Sequence, residues 1–165
     1  MIKRNYLDES QCQVIIDEYE RSPVEITHEC CPHAFTGENI YSPNHVKRAT
    51  VGTSAFDLIH STIETLINEY HDHLDTYNAF HVDRRLTLLH PHLYRLMKYE
   101  KGAWIHPHTD HDHGVYGSCT INLNDDYEGG KFAFWGGQHQ ITLNKGDAMI
   151  WPADFFWVHE VKEIT

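Results

Sequence analysis

Apolar residues recur every three or four positions along two stretches of the N-terminal half, then switch past residue 86 to short runs broken by turn residues. The first stretch, Ser10 to Glu20, carries Val14, Ile15 and Tyr19 on a helical stripe and is stopped by Arg21-Ser22-Pro23. The second, from Ser54 to about Leu74, repeats the pattern with Phe56, Ile59, Ile63, Leu66, Ile67, Tyr70 and Leu74. Ser54 with Asp57 offers a capping box for its start. So long an apolar stripe predicts a helix packed on a sheet. Between the two, Cys30 to Thr53 scatters Pro32, Gly37, Pro43 and Gly52 among polar residues. It reads as irregular chain with one short strand, placed to form either a packing loop or a lid over a groove.

Seven short runs follow: Leu93 to Tyr99, Ala103 to His108, Gly117 to Asn124, Lys131 to Trp135, Gln138 to Leu143, Asp147 to Trp151 and Phe156 to Ile164. The breaks are rich in Gly, Asn and Asp, as in Glu128-Gly129-Gly130 and Asn144-Lys145-Gly146. Strands at this spacing predict a β-sandwich or barrel. No repeat or linker interrupts the chain, so residues 1–165 are read as a single domain, helical over about 1–85 and a barrel over about 86–165.

Composition narrows the function. The chain is 41% hydrophobic and 12% aromatic, which fits a packed globular domain. Its formal charge of -11 argues against nucleic acid or an anionic membrane as partner. No apolar stretch approaches the ~20 residues that span a bilayer, and Met1 to Asp8 lacks a signal-peptide core, so a cytoplasmic protein is expected. Cys12, Cys30, Cys31 and Cys119 form no CxxC pair and read as free thiols. Oligomeric state stays open.

The chemistry lies in His-x-Asp. With 15 His and 12 Asp in 165 residues about one such tripeptide arises by chance, and the chain has three. His73-Leu74-Asp75 falls at the end of a helical pattern, where residues i and i+2 diverge, and His81-Val82-Asp83 sits in a polar connection. His108-Thr109-Asp110 follows a strand pattern, and a strand puts i and i+2 on one face, within reach of one ion. Adding His159 from Phe156-Trp157-Val158-His159-Glu160 gives two imidazoles and one carboxylate, the protein half of a facial iron(II) site. The run His106, His108, His111 and His113 with Asp110 and Asp112, joined by His71 and His73, keeps a zinc or nickel cluster as an alternative.

Tyr99-Glu100-Lys101-Gly102 before His108-Thr109-Asp110, then Cys119 to Asp125, Glu128-Gly129-Gly130, Lys145-Gly146-Asp147-Ala148 and His159-Glu160-Val161 stand in one order and spacing. Together they resemble the prolyl 4-hydroxylase-like branch of the iron(II) and 2-oxoglutarate dependent dioxygenases. The resemblance covers about the last 70 residues. It implies a double-stranded β-helix, a jelly-roll or cupin-like barrel, with iron held by His108, Asp110 and His159. It implies hydroxylation of a carbon of a peptide, protein residue or amino acid, prolyl residues first, with 2-oxoglutarate and O2 as cosubstrates and ascorbate as an accessory reductant. Decarboxylation would release succinate and carbon dioxide. Tyr99 matches the tyrosine that bonds the oxo acid in relatives, and Thr120 and Trp151 fall on strands that line the pocket.

One feature departs from the family. Relatives place a basic residue about ten positions after the second histidine to pair with the distal carboxylate of 2-oxoglutarate, and this sequence stops at Thr165. The barrel is therefore expected to lack its last strand, with Lys131 the other basic residue able to serve. A metal- or ligand-binding barrel without turnover is the competing reading.

Overall fold

The computed structural model describes residues 1–23, 27, 32, 36–42, 44–77, 94–111 and 114–165. Two helices, α1 (Glu9–Arg21) and α2 (Ser54–Tyr77), accompany two early strands, β1 (Ile2–Lys3) and β2 (Asn44–Arg48). Seven more strands follow: β3 (Arg95–Tyr99), β4 (Ile105–His108), β5 (Gly117–Ile121), β6 (Phe132–Phe134), β7 (His139–Ile141), β8 (Ala148–Pro152) and β9 (His159–Val161).

α1 starts one residue earlier than its apolar pattern because Asp8 caps it. The Asp8 carboxylate accepts from the Gln11 amide and the Gln11 side chain accepts from the Asp8 amide, each at 2.9 Å. Its buried face is Cys12, Ile15 and Tyr19. Val14, expected on that stripe, is 37% exposed, because it lies about 100° around the helix from Ile15. The buried Lys47 ammonium closes the other end, donating to the carbonyls of Tyr19 at 2.6 Å and Ser22 at 3.1 Å.

α2 also differs at its cap. The box expected from Ser54 and Asp57 gives way to Thr53, whose hydroxyl accepts from the Phe56 amide at 3.2 Å and whose carbonyl accepts from Asp57 at 3.1 Å. The hydroxyl one residue earlier is the one facing the free first-turn amides. Of the two readings of the segment before α2, its described part takes the packing one. β2 pairs antiparallel with β3 from Asn44↔Tyr99 to Arg48↔Arg95, Tyr41 bridges Ile105, and the Ile40 carbonyl accepts from His106 at 2.7 Å. Backbone laddered to β3 and β4 in this way is a wall. Cys30, Cys31 and Pro43 lie outside the described residues.

The strands form ladders in the orders β1-β8-β5, β2-β3 and β4-β9-β6-β7. β8 divides the interior, since alternate side chains of a strand face opposite ways. Ala148 and Ile150 join Leu7, Cys12, Ile15, Ile59, Ile63, Leu66 and Leu96 on the helical side. Met149 and Trp151 join Phe134 and Ile141 on the barrel side, with Phe132, Leu143 and Trp157 packed on them. β1, too short for any periodicity, pairs with β8, and the adjoining chain is pinned at Gly146. The Gly146 carbonyl accepts from the amides of Tyr6 and Leu7 at 2.8 and 3.0 Å. Gly146 has φ +79°, and a Cβ there would stand 2.1 Å from the Leu7 carbonyl oxygen, so only glycine fits.

Candidate metal centre

His108 ends β4 and His159 opens β9, and the two strands pair so that these residues are direct cross-strand partners. Fifty-one positions apart in sequence, their ring centroids are 4.3 Å apart. Asp110, two residues beyond β4, turns its carboxylate between them. One oxygen is 3.6 Å from His108 Nε2 and the other 3.5 Å from His159 Nε2. One ligand atom from each of the three residues can be chosen so that all lie within 4.8 Å of one another.

The rest of each ring is tied down. His108 Nδ1 lies 2.8 Å from the His106 carbonyl and His159 Nδ1 lies 3.0 Å from that of Trp157, so each Nδ1 carries the proton it donates. Each Nε2 is left with its lone pair toward Asp110, the tautomer a metal ligand needs. Burial holds the His159 pKa below the usual histidine value despite the opposing pull of Asp110. For Asp110 burial acts to raise the pKa, but the two neighbouring imidazoles and the Ser118 hydroxyl outweigh it, and the carboxyl is held below its ordinary range. Near neutral pH the site presents a carboxylate beside an uncharged His159, with the His108 lone pair aimed the same way. That donor set fits Fe(II) and leaves coordination positions for other ligands.

Residues 94–165 match the family model of the 2OG-Fe(II) oxygenase superfamily. The matched stretch carries all three residues of the triad. Oxygenases of this kind use Fe(II), 2-oxoglutarate and O2. No curated protein matches the sequence. Among solved structures the fold is shared with a Pseudomonas putida prolyl-4-hydroxylase at 16% identity, TM-score 0.70, covering 99% of this chain and 84% of that one. It is shared too with a Trichoplax adhaerens prolyl hydroxylase in complex with a hypoxia inducible factor oxygen degradation domain peptide fragment. That match has 15% identity, TM-score 0.72 and coverage of 99% and 77%. A third is the viral collagen prolyl hydroxylase of Paramecium Bursaria Chlorella virus-1, in a 2OG complex, at 12% identity, TM-score 0.66, with coverage of 100% and 88%. The shared fold is the double-stranded β-helix that the motifs implied.

The structure disposes the other predicted residues unequally. Trp151 lies edge-on to His159, centroids 5.1 Å apart, and is buried. Thr120 occupies the same face of β5 as Ser118, half-buried. Tyr99 ends β3, half-buried, its hydroxyl 3.5 Å from Met97 Sδ. Lys131 is exposed, one residue before β6, whose Phe132 ring stacks on His159 at 5.2 Å. The multi-histidine cluster does not assemble among the described residues. His106 packs on Trp104 at 4.0 Å, His111 faces Phe155, and His71 and His73 ride on α2. Asp112 and His113 lie outside the described residues, as does His81-Val82-Asp83. His73-Leu74-Asp75 is helical, as its pattern predicted.

Three contributors escaped the sequence reading: Ser118, which helps hold the Asp110 carboxyl below its ordinary range, and the carbonyls of His106 and Trp157. Ser118 stands two residues before Thr120, so strand alternation could have found it. The carbonyls carry no residue signature.

Proposed function

We propose that the chain hydroxylates a carbon of a peptide or protein residue, prolyl residues first, or of an amino acid. The triad carries the reading: three ligand atoms of the right kind in one small cluster, with both ring tautomers fixed for metal binding.

Bound Fe(II) with 2-oxoglutarate and O2 supplies an oxidant that hydroxylates a C–H bond and yields succinate and carbon dioxide. The roles of this chain's own groups follow from their positions. His108, Asp110 and His159 hold the metal, Ser118 orients the Asp110 carboxylate, and the main chain at His106 and Trp157 sets the imidazoles. Phe132, Phe134 and Trp151 surround His159 with aromatic surface, which excludes water from the reacting centre.

A peptide substrate is supported by the loop between β8 and β9. Phe155 and Phe156 are 62% and 68% exposed there, and the Phe156 carbonyl is held by the Trp135 indole at 2.8 Å. Exposed aromatic rings beside a site offer stacking surface for an extended partner. The formal charge of -11 favours a neutral or basic one. One structural neighbour is in complex with a peptide fragment. The free thiols of Cys12 and Cys119 support a reducing, cytoplasmic setting.

The test is succinate release by the Fe(II)-loaded protein given 2-oxoglutarate, O2 and proline-containing peptides, with mass spectrometry of the peptides. The expected result is stoichiometric succinate and gain of one oxygen atom on a peptide, both lost in Asp110→Ala. Iron binding with neither product would establish the barrel without turnover.

A further inference from the structure

We propose that Trp135 is a positioning residue for the metal centre: its two N–H groups fix the backbone on either side of Trp157, and the Trp157 carbonyl in turn fixes the tautomer and orientation of His159. This rests on the reading of His108, Asp110 and His159 as a metal site.

Two features of Trp135 are not accounted for by packing. Among the described residues other than glycine, positive φ is found at Asn5 and at Trp135, each at +52°. Asparagine enters that region readily, whereas a bulky side chain there is an outlier that its surroundings must hold in place. Gly136 and Gly137 follow in the same turn between β6 and β7, so conformational freedom was at hand one residue later. The side chain is also 41% exposed, which forgoes much of the stabilisation a tryptophan gains by burial.

Both of its donors go to one short segment. The Trp135 amide donates to the Val158 carbonyl at 3.0 Å, carrying the β6–β9 ladder one residue past the Phe134↔His159 pair. The indole N–H donates to the Phe156 carbonyl at 2.8 Å. The two held carbonyls flank Trp157. With the peptide planes before and after it fixed, the plane between them points its own carbonyl at His159 Nδ1, 3.0 Å away. The rings of Trp135 and Trp157 add contact, their centroids 5.2 Å apart.

The other histidine of the triad shows why a clamp is needed here. His108 Nδ1 is bonded to the His106 carbonyl, and His106 lies inside β4 with its amide on the Ile40 carbonyl at 2.7 Å. Strand geometry aims that carbonyl. Trp157 stands two residues ahead of β9, in a loop, and its amide goes to the Asp154 carbonyl at 3.1 Å within the same loop. Trp135 supplies from the side what the strand supplies for His106. Groups that orient a ligating imidazole are commonly worth roughly 10- to 100-fold in metal affinity.

The experiment compares wild type with Trp135→Phe, which keeps an aromatic ring on Trp157 and removes the indole donor. Fe(II) titrated anaerobically should bind on the order of tenfold more weakly to the variant, the lower end of that range because Trp135 acts through the Trp157 carbonyl. Ring-nitrogen NMR of the metal-free proteins, at mildly alkaline pH where imidazoles are uncharged, gives the second readout. His159 of wild type should hold its proton on Nδ1, and the variant should divide it between the two nitrogens with His108 unchanged. A variant that loses stability in urea while keeping wild-type Fe(II) affinity and the His159 tautomer would overturn the proposal, since Trp135 would then only close its turn. Wild-type protein that binds no Fe(II) would sink the metal-site reading and the proposal with it, so the two failures are distinguishable. A further measurement needs no variant. Coupling between sites is reciprocal, so Zn(II) at the triad should slow hydrogen exchange at the Trp135 indole N–H. The Gly137 amide, bonded to the Phe134 carbonyl in the same turn, should keep its metal-free rate. Equal slowing of both, or of neither, would overturn the proposal.

Discussion

The two faces of β8 are built from consecutive residues and share almost nothing in chemistry. Ala148 and Ile150 meet the apolar stripes of both helices, where Leu66 is fully buried. Met149 and Trp151 meet aromatic rings, the buried His159 and an indole N–H without a partner. The helical face is held mainly by apolar contact. The barrel face leaves a lone-pair cluster and a donor exposed to whatever enters, at some cost to its own stability. The comparison teaches where stability and function are separately stored in this chain: one strand apart, on opposite sides of the same backbone.

Variants on each face should break that separation in opposite senses. Asp110→Ala should abolish Fe(II) binding and turnover while leaving the urea midpoint close to wild type, because it removes a half-buried charge that contributes little to packing. Iron titration with parallel unfolding curves checks it, and a large loss of stability would mean the triad also holds the fold. Leu66→Ala should do the reverse, costing about 2–5 kcal/mol in urea unfolding through a cavity against α1 and β8, with iron affinity unchanged. Gly146→Ala should cost about 1–3 kcal/mol, since alanine must adopt φ +79° and push against the Leu7 carbonyl. Stability within error of wild type would show that the turn reshapes freely.

The smallest effect is a pH dependence confined to the helical side. Burial acts to raise the Asp147 pKa. The amides of Asn144 at 2.8 Å and Asn5 at 2.9 Å, together with Arg4, outweigh it and depress the pKa below its ordinary value of 3.8. A depressed carboxyl pKa contributes stability that is fully present above the unfolded value and lost as pH falls through the folded one. The wild-type advantage over Asp147→Asn should therefore be constant from about pH 7 to 5 and shrink below about pH 4, as read from unfolding curves across that range. An advantage that stays constant into strong acid would show that the carboxylate charge is not what holds this junction.

Much of this was legible in the residues, for identifiable reasons. α2 shows because its stripe repeats through Ile59, Ile63, Leu66 and Tyr70, a signal long enough to survive errors at either end. Asp8-x-x-Gln11 is readable as a cap but stands ahead of the first apolar residue, so a reading that begins from the stripe passes it by. β1 has two residues and β2 five, and both exist through their pairing with β8 and β3. The ligands His108 and Asp110 could be singled out because strand geometry puts i and i+2 together. That His159 would lie directly opposite His108 could not, since register is a property of two strands and not of either sequence.

The attachment of the first residues to β8 has a consequence for how the molecule forms. The Met1 ammonium donates to the Ile150 carbonyl at 2.7 Å, Arg4 pairs with Asp147, and Gly146 holds Tyr6 and Leu7. These contacts span nearly the whole chain, so a ribosome that has released the first hundred residues has released a strand with no partner. High contact order of this kind makes for slow folding, and it defers closure of the aliphatic core until β8 has been made. Until β8 emerges, the aliphatic faces of α1 and α2 lack the sheet that covers them, which makes the nascent chain a natural client for chaperones.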